Sequence, residues 1–238
     1  MEDNDTPILY SSDDDYGSPP KSSRILLVDA NGEDERTKFV YKARKKYITV
    51  SNDIQHLQGQ NEAIRAVFRN HLLHNSSLEI ISYAGHGNLE SLAGYIRDEQ
   101  RRKKNRKEQH YPNKRILRSG DVNKSLAKGK IFHSWSCYTG EKGGLGEMLV
   151  KNGATAFIGY DKKIDIDLTF DDNNEYTLCY PDCIIVNEII EEENINREKI
   201  SEIVVNAKMD FGRMYNEANP LVGRLAKANG DALQVYPK

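Results

Sequence analysis

Cysteine is scarce in this chain: three in 238 residues, an odd number and too few for a disulfide scaffold, which fits a reducing compartment. No apolar run approaches the roughly 18–20 residues that a membrane-spanning helix requires. The start, Met1-Glu2-Asp3-Asn4-Asp5, has no apolar stretch of the kind a secretory signal carries. Neither sign of charge is in excess, since 34 Lys and Arg face 36 Asp and Glu for a net of −2. That balance argues against nucleic acid or an anionic membrane as a bulk partner. No internal repeat is visible. What is present is a hydrophobic fraction of 38% and 17 glycines, enough for a sizeable core. The expectation is one ordered cytoplasmic domain over residues 23–238.

The small net charge conceals segregation. Residues 1–22 carry six acids against Lys21 and include Pro19-Pro20, the composition of a disordered acidic tail. Residues 97–118 hold ten Lys and Arg against three acids, which reads as a basic surface insertion. Residues 161–193 hold eleven acids against Lys162 and Lys163.

Between these segments, strands alternate with helices. Strands are expected at Arg24–Asp29, Tyr47–Val50, Leu78–Ala84, Lys130–Ser136 and Ala154–Tyr160, with a last one at Ala232–Tyr236. Helices are expected at Glu33–Lys46, at Asp53–His74 from the spacing of Leu57, Ala63, Ile64, Val67, Phe68 and Leu72, and at Gly146–Asn152. Three more follow at Ile184–Glu193, Arg197–Asn216 and Pro220–Ala228. The alternation predicts an α/β fold in which a mainly parallel sheet lies between helices.

In such a sheet, reactive groups gather where strands end and loops leave the core. Two strand ends stand out. One runs into Gly85-His86-Gly87-Asn88 and the other into Cys137-Tyr138-Thr139-Gly140. A thiol beside an imidazole can form a thiolate–imidazolium pair: the sulfur attacks a carbonyl carbon and the imidazolium protonates the departing amine. The N–H groups of Gly87 and Cys137 are the natural donors to the oxyanion. Taken singly, His86 reads as a loop histidine and Cys137 as a structural thiol. Their matched positions at two strand ends point to chemistry.

Ser82–Asn88 (SYAGHGN), followed some fifty residues later by Trp135–Gly140 (WSCYTG), resembles the His-Gly and Cys motifs of the caspase-like cysteine peptidases. That group includes caspases, metacaspases, separase, gingipains and the CHAT peptidases, and the CHAT branch looks closest. Gly153–Gly159 (GATAFIG) resembles the strand that follows in that branch, and Ala207-Lys208 a pair in its later helical region. The resemblance implies a caspase-like three-layer sandwich, a Cys137–His86 dyad, an oxyanion hole at Gly87 and Cys137, no metal or other cofactor, and a protein as substrate. A regulatory protein partner fits the same picture. The chain departs from metacaspases at the position two before the cysteine, where they carry an acid and this sequence has Trp135.

The resemblance also implies a specificity pocket. Its walls would come from Trp135, from Asp29 at the end of the first strand, and from Asp161 with Asp165 and Asp167 close behind. Carboxylates beside an indole favour an arginine or lysine side chain. The plainer reading makes Asp29 a loop cap, Trp135 core, and the acidic run a solvated face. His133 shares a strand face with Trp135 and Cys137 and reads as a packed residue. The basic residues of 97–118 offer sites for self-cleavage, but the plainer and preferred reading is a solvated loop.

Other signals fall away. The glycines at 140, 143, 144 and 146 miss the dinucleotide spacing, and Cys179 and Cys183 lack the second pair a zinc site needs. The oxygen-rich run Asp165–Asp172 lacks the glycine and distal glutamate of a calcium loop. Arg24–Ala30 (RILLVDA) is reminiscent of a phosphorelay receiver, whose acceptor aspartate would end the third strand, where Gly85-His86 stands instead. Two rival readings stay open at this level. One is a catalytically silent caspase-like module that binds a protein partner, and the other an unrelated α/β domain in which the two motifs coincide by chance.

Overall fold

The computed structural model describes residues 24–29, 35–48, 54–58, 62–93, 115–164, 172–192, 195–217 and 220–237. The expected acidic tail, residues 97–114 of the basic stretch, and Asp165 and Asp167 lie outside them.

Five parallel strands make the centre: β1 (Ile25–Asp29), β2 (Ile54–Gln58), β3 (Ile80–Ala84), then β7 (Ile131–Trp135) and β8 (Ala156–Tyr160). A last strand, β9 (Leu233–Tyr236), joins antiparallel to β8, giving the order β2-β1-β3-β7-β8-β9. β1, β3, β7 and β8 are buried at every residue, as apolar strands covered on both faces must be.

Alternation along each strand sends side chains to two cores. Ile25, Leu27, Ile80, Ala84, Ile131, Trp135, Ile158 and Tyr160 face helices α1 (Glu35–Tyr47), α5 (Asp172–Glu191), α6 (Arg197–Glu217) and α7 (Pro220–Ala232). On the opposite face Leu26, Val28, Ile81, Tyr83, Phe132 and Phe157 meet α2 (Glu62–His74), α3 (Lys124–Ala127) and α4 (Leu145–Lys151). That face also carries a small antiparallel sheet, β4 (His86–Asn88), β5 (Ser91–Ala93) and β6 (Arg115–Arg118). The result is the expected α/β sandwich of three layers.

Several expected boundaries move. The long helix over Asp53–His74 is two elements, β2 and then α2, and the Gly59-Gln60-Asn61 turn signals between them outweigh the apolar spacing. Tyr47, expected to open a strand, closes α1. Four residues assigned to the basic insertion form β6, with Ile116 and Leu117 buried against the second core. α5 begins twelve residues before the expected Ile184 and runs through Pro181. A proline inside a helix costs about 3 kcal/mol. Here Leu178, Cys179, Cys183, Val186 and Ile189 are buried on the first core, and that burial offsets the cost.

Candidate active site

β3 and β7 are adjacent, and their last paired residues are Ala84 and Trp135. The Gly85 N–H then donates to the Trp135 carbonyl at 3.2 Å, so both chains leave the sheet at one level. His86 and Cys137 each stand two residues beyond that last pair. The matched strand ends noted in the sequence are therefore neighbours in the fold.

His86 opens the β4–β5 hairpin, a small sheet that the sequence did not suggest. Asn88 and Ser91 flank its two-residue turn, where the Asn88 Oδ1 accepts from the Glu90 N–H and the Ser91 hydroxyl, both at 3.0 Å. Gly87 opposes Leu92, one step from the turn-closing pair, so alternation of the ladder turns the Gly87 N–H away from β5. The Tyr83 hydroxyl donates to the His86 carbonyl at 2.8 Å. Two contacts seat the hairpin on the loop after β7. A Cβ on Gly87 would stand 2.6 Å from Ser136 Oγ and 2.7 Å from Thr139 Cγ2. At the hairpin tip, the Leu89 carbonyl accepts from the Leu145 N–H at 2.7 Å and lies against Gly144. Residues 136 and 139 flank Cys137, so the histidine segment lies directly on the cysteine segment.

Cys137 is half-buried, and its Sγ accepts from the Ile164 N–H at 3.4 Å. An amide aimed at the sulfur offers its negative form a hydrogen bond. Tyr138 has φ of 62°, the left-handed region that a non-glycine residue rarely adopts, and its side chain is 41% exposed. Strain of this kind persists only where surroundings over-determine it. Here the Tyr138 N–H donates to the Lys162 carbonyl at 3.1 Å, the Gly140 N–H donates to the Tyr160 carbonyl at 2.9 Å, and Tyr236 Oη donates to the Gly140 carbonyl at 3.0 Å. The segment Asp161–Ile164 thus runs alongside Cys137–Gly140.

The three residues expected to wall a pocket are placed differently from one another. Asp161 is partly exposed, its N–H donates to the Ala232 carbonyl at 2.8 Å, and its buried Oδ1 has no hydrogen-bond partner among the described residues. Trp135 is buried in the first core, the cluster against which Cys137 packs. Asp29 is only 2% exposed, and its Oδ1 lies 2.9 Å from Arg44 Nε.

That ion pair begins a polar chain across the sheet. Arg44 Nη1 donates to Ser82 Oγ at 3.0 Å and Nη2 to the Ser82 carbonyl at 3.1 Å. Ser82 Oγ lies 2.8 Å from His133 Nδ1, and His133 Nε2 lies 3.1 Å from Asp182 Oδ1, which also accepts from the Tyr160 hydroxyl at 2.8 Å. The Asp182 carboxylate can only accept at Nε2, and the Ser82 hydroxyl faces Nδ1. His133 is thus a packed residue with both nitrogens occupied, as the sequence suggested. Arg44 and Asp182 were not singled out, because a charged residue within an amphipathic helix carries no local sign of being buried. Burial, with the Asp182 carboxylate close by, pushes the Tyr160 hydroxyl and the Cys183 thiol up from their ordinary ranges.

Among the described residues no helix is long and apolar enough to cross a membrane, and no three His, Cys, Asp or Glu side chains cluster to hold a metal ion.

The model of peptidase family C25 matches residues 4–228, and the chain belongs to that family. No curated protein matches the chain. Among solved structures, the pro- and mature-domain complex of RgpB from Porphyromonas gingivalis is similar over 89% of this chain and 46% of its own, with 12% identity and a TM-score of 0.50. The separase–securin complex of Saccharomyces cerevisiae is similar over 90% of this chain, with 15% identity and a TM-score of 0.48. The chain spans only 12% of that separase and less than half of the RgpB chain.

Proposed function

We propose that this protein is an endopeptidase that uses Cys137 as nucleophile and His86 as its proton-transfer partner. The observation that carries the reading is the seating of Gly87 on Ser136 and Thr139, which ties the His86 strand end to the residues on either side of Cys137. The Cys137 sulfur attacks the scissile carbonyl carbon, and the C–N bond breaks as His86 passes a proton to the amine. Water then cleaves the thioester, returning the thiol and releasing the carboxylate product. The Gly87 and Cys137 N–H groups hold the oxyanion in between.

Selection for arginine or lysine before the scissile bond belongs to the same proposal. Asp161 supports it best, with a carboxylate oxygen that has no partner among the described residues, beside the Cys137 loop. Trp135 acts as the apolar backing. Asp29 serves as a floor residue, its charge balanced by Arg44. Within the family, the GHG and C-x-T-G blocks support a CHAT-like arrangement of motifs. The substrate is a protein, and a regulatory protein partner is in keeping with the RgpB structure, a complex of pro- and mature domains.

The test is hydrolysis of fluorogenic peptides that differ only at the residue before the scissile bond, with Cys137→Ala and His86→Ala as controls. Turnover with basic peptides that both variants abolish supports the proposal. Turnover confined to acidic or apolar residues at that position overturns the pocket assignment. Turnover that survives Cys137→Ala overturns the dyad.

A further inference from the structure

The face of β7 opposite Cys137 carries a group that the mechanism above does not use. Residues 133, 135 and 137 point to one side of the strand and 134 and 136 to the other. Ser134 Oγ and Ser136 Oγ lie 2.6 Å apart, Ser136 Oγ lies 3.3 Å from Thr139 Oγ1, and Thr139 Oγ1 lies 3.3 Å from Ser134 Oγ. All three are buried, Thr139 completely. Their neighbours on this face of the sheet, Phe132, Leu145, Leu149 and Phe157, are apolar. Small apolar side chains would fill such a place without desolvating a hydroxyl, so three hydroxyls satisfying one another there call for a reason.

We propose that Ser134, Ser136 and Thr139 form a positioning knot that sets the spacing between the Gly87 and Cys137 amides. This rests on the peptidase reading above. The knot reaches both donors. On one side, the Thr139 hydroxyl also lies 3.2 Å from the Ser136 carbonyl, closing a four-residue loop with Cys137 and Tyr138 at its crest. That closure helps hold Tyr138 at its positive φ, and with it the direction of the Cys137 amide. On the other side, Ser136 Oγ, Ser136 Cβ and Thr139 Cγ2 form the surface on which Gly87 lies, within 2.8 Å of where a Cβ would stand. Thr139 Oγ1 is also close to Gly159 on β8, which anchors the knot to the sheet. The knot is a set of positioning residues, acting through the two backbone donors.

The experiment compares Thr139→Val, Thr139→Ser and Ser134→Ala in the full chain. It uses peptidyl coumarylamides with a basic, acidic or apolar residue before the scissile bond, a peptidyl aldehyde inhibitor, and iodoacetamide. Thr139→Val keeps the shape and removes the hydroxyl, and is expected to lower kcat about 10- to 100-fold with KM within about threefold. Aldehyde inhibition, which needs the oxyanion site, weakens in parallel, whereas alkylation of Cys137 by iodoacetamide, which does not, stays near the wild-type rate. Thr139→Ser restores kcat. Wild-type kcat in Thr139→Val overturns the proposal, as does a Thr139→Ser variant equally impaired with KM and alkylation moving together. If Thr139→Val does not fold, Ser134→Ala decides: a smaller loss in kcat alone supports the knot, and no loss overturns it. Failure of the peptidase reading shows separately, as a wild-type protein that turns over none of the peptides or whose Cys137→Ala variant turns them over equally well.

Discussion

Replacing Gly87 by alanine tests the junction on which the site depends. The added Cβ would lie 2.6 Å from Ser136 Oγ, 2.7 Å from Thr139 Cγ2 and 2.8 Å from Ser136 Cβ. Comfortable carbon contacts lie near 3.5–4.0 Å, so the hairpin and the cysteine loop must part by roughly 1 Å. Neither side yields easily. Ser136 is bonded to Ser134 at 2.6 Å, and the hairpin tip is pinned by the 2.7 Å bond from Leu145 to Leu89. Overpacking of this kind costs about 1–3 kcal/mol. In a domain of this size that lowers Tm by about 2–10 °C. The catalytic loss should be larger, because a misplacement of about 1 Å between reacting groups costs on the order of 100-fold in rate. The assay pairs steady-state peptide hydrolysis with thermal unfolding. Gly120→Ala serves as the control, since a Cβ there meets nothing within 4 Å. Adding Ser136→Gly to Gly87→Ala removes two of the three clashes and should recover part of the rate. A Gly87→Ala protein with wild-type kcat/KM and Tm would refute the junction as drawn.

Other outcomes follow from the same structure. Arg44→Met leaves Asp29 buried without its cation and should cost about 3–5 kcal/mol in urea unfolding, with part of the loss recovered by adding Asp29→Asn. Gly212 lies in α6 with nothing within 4 Å of an added Cβ, so Gly212→Ala should stabilise by about 0.5–1 kcal/mol, read as a rise in Tm. Burial lowers the pKa of His71 from 6.5, so the unfolded chain takes up the proton first. Stability should therefore fall as pH drops below 6.5, and His71→Leu should flatten that slope in urea midpoints measured from pH 7.5 to 5. Of the three thiols, native-state iodoacetamide should label Cys137 alone by mass spectrometry, because Cys179 and Cys183 are each 1% exposed and burial pushes the Cys183 thiol up.

Much of this arrangement could be read in the chain, for reasons tied to particular residues. The central strands were legible because they are buried on both faces and so read as unbroken apolar runs ending at Asp29, Ala84, Trp135 and Tyr160. His86 and Cys137 were legible because a reactive residue beside glycine at a strand end is uncommon. Ile54–Gln58 was not, since its two apolar residues are three apart and match a helix as well as a strand. β4, β5 and β6 were hidden because each is only three or four residues long and pairs by contacts distant in sequence. α5 was read only from Ile184, beyond Pro181, which is a breaker by local rule. Its continuation depends on what Cys179, Asp182 and Cys183 meet in the core, which no local pattern records.

The polar chain from Asp29 to Tyr160 bears on how selectivity and scaffold share their charges. β1, β3, β7 and β8 each contribute one member to it, α1 contributes Arg44, and α5 contributes Asp182. Two carboxylates and one guanidinium lie within an otherwise apolar layer, where an isolated charge would be costly. Each is instead held by a partner within about 3 Å, and each link joins two different elements. Such a chain fixes the helices against the sheet at one register, because sliding either helix by a turn would leave a buried charge alone. It also balances the charge of Asp29, the floor residue of the proposed pocket, with Arg44. Asp161 stands outside the chain, at the mouth of β8 beside the cysteine loop, with an oxygen still unpartnered among the described residues. A carboxylate that stabilises the fold and one that selects a ligand make opposite demands on pairing. By that criterion Asp161 is the first carboxylate to test for selection, with Asp29 behind it as a floor residue whose charge Arg44 balances.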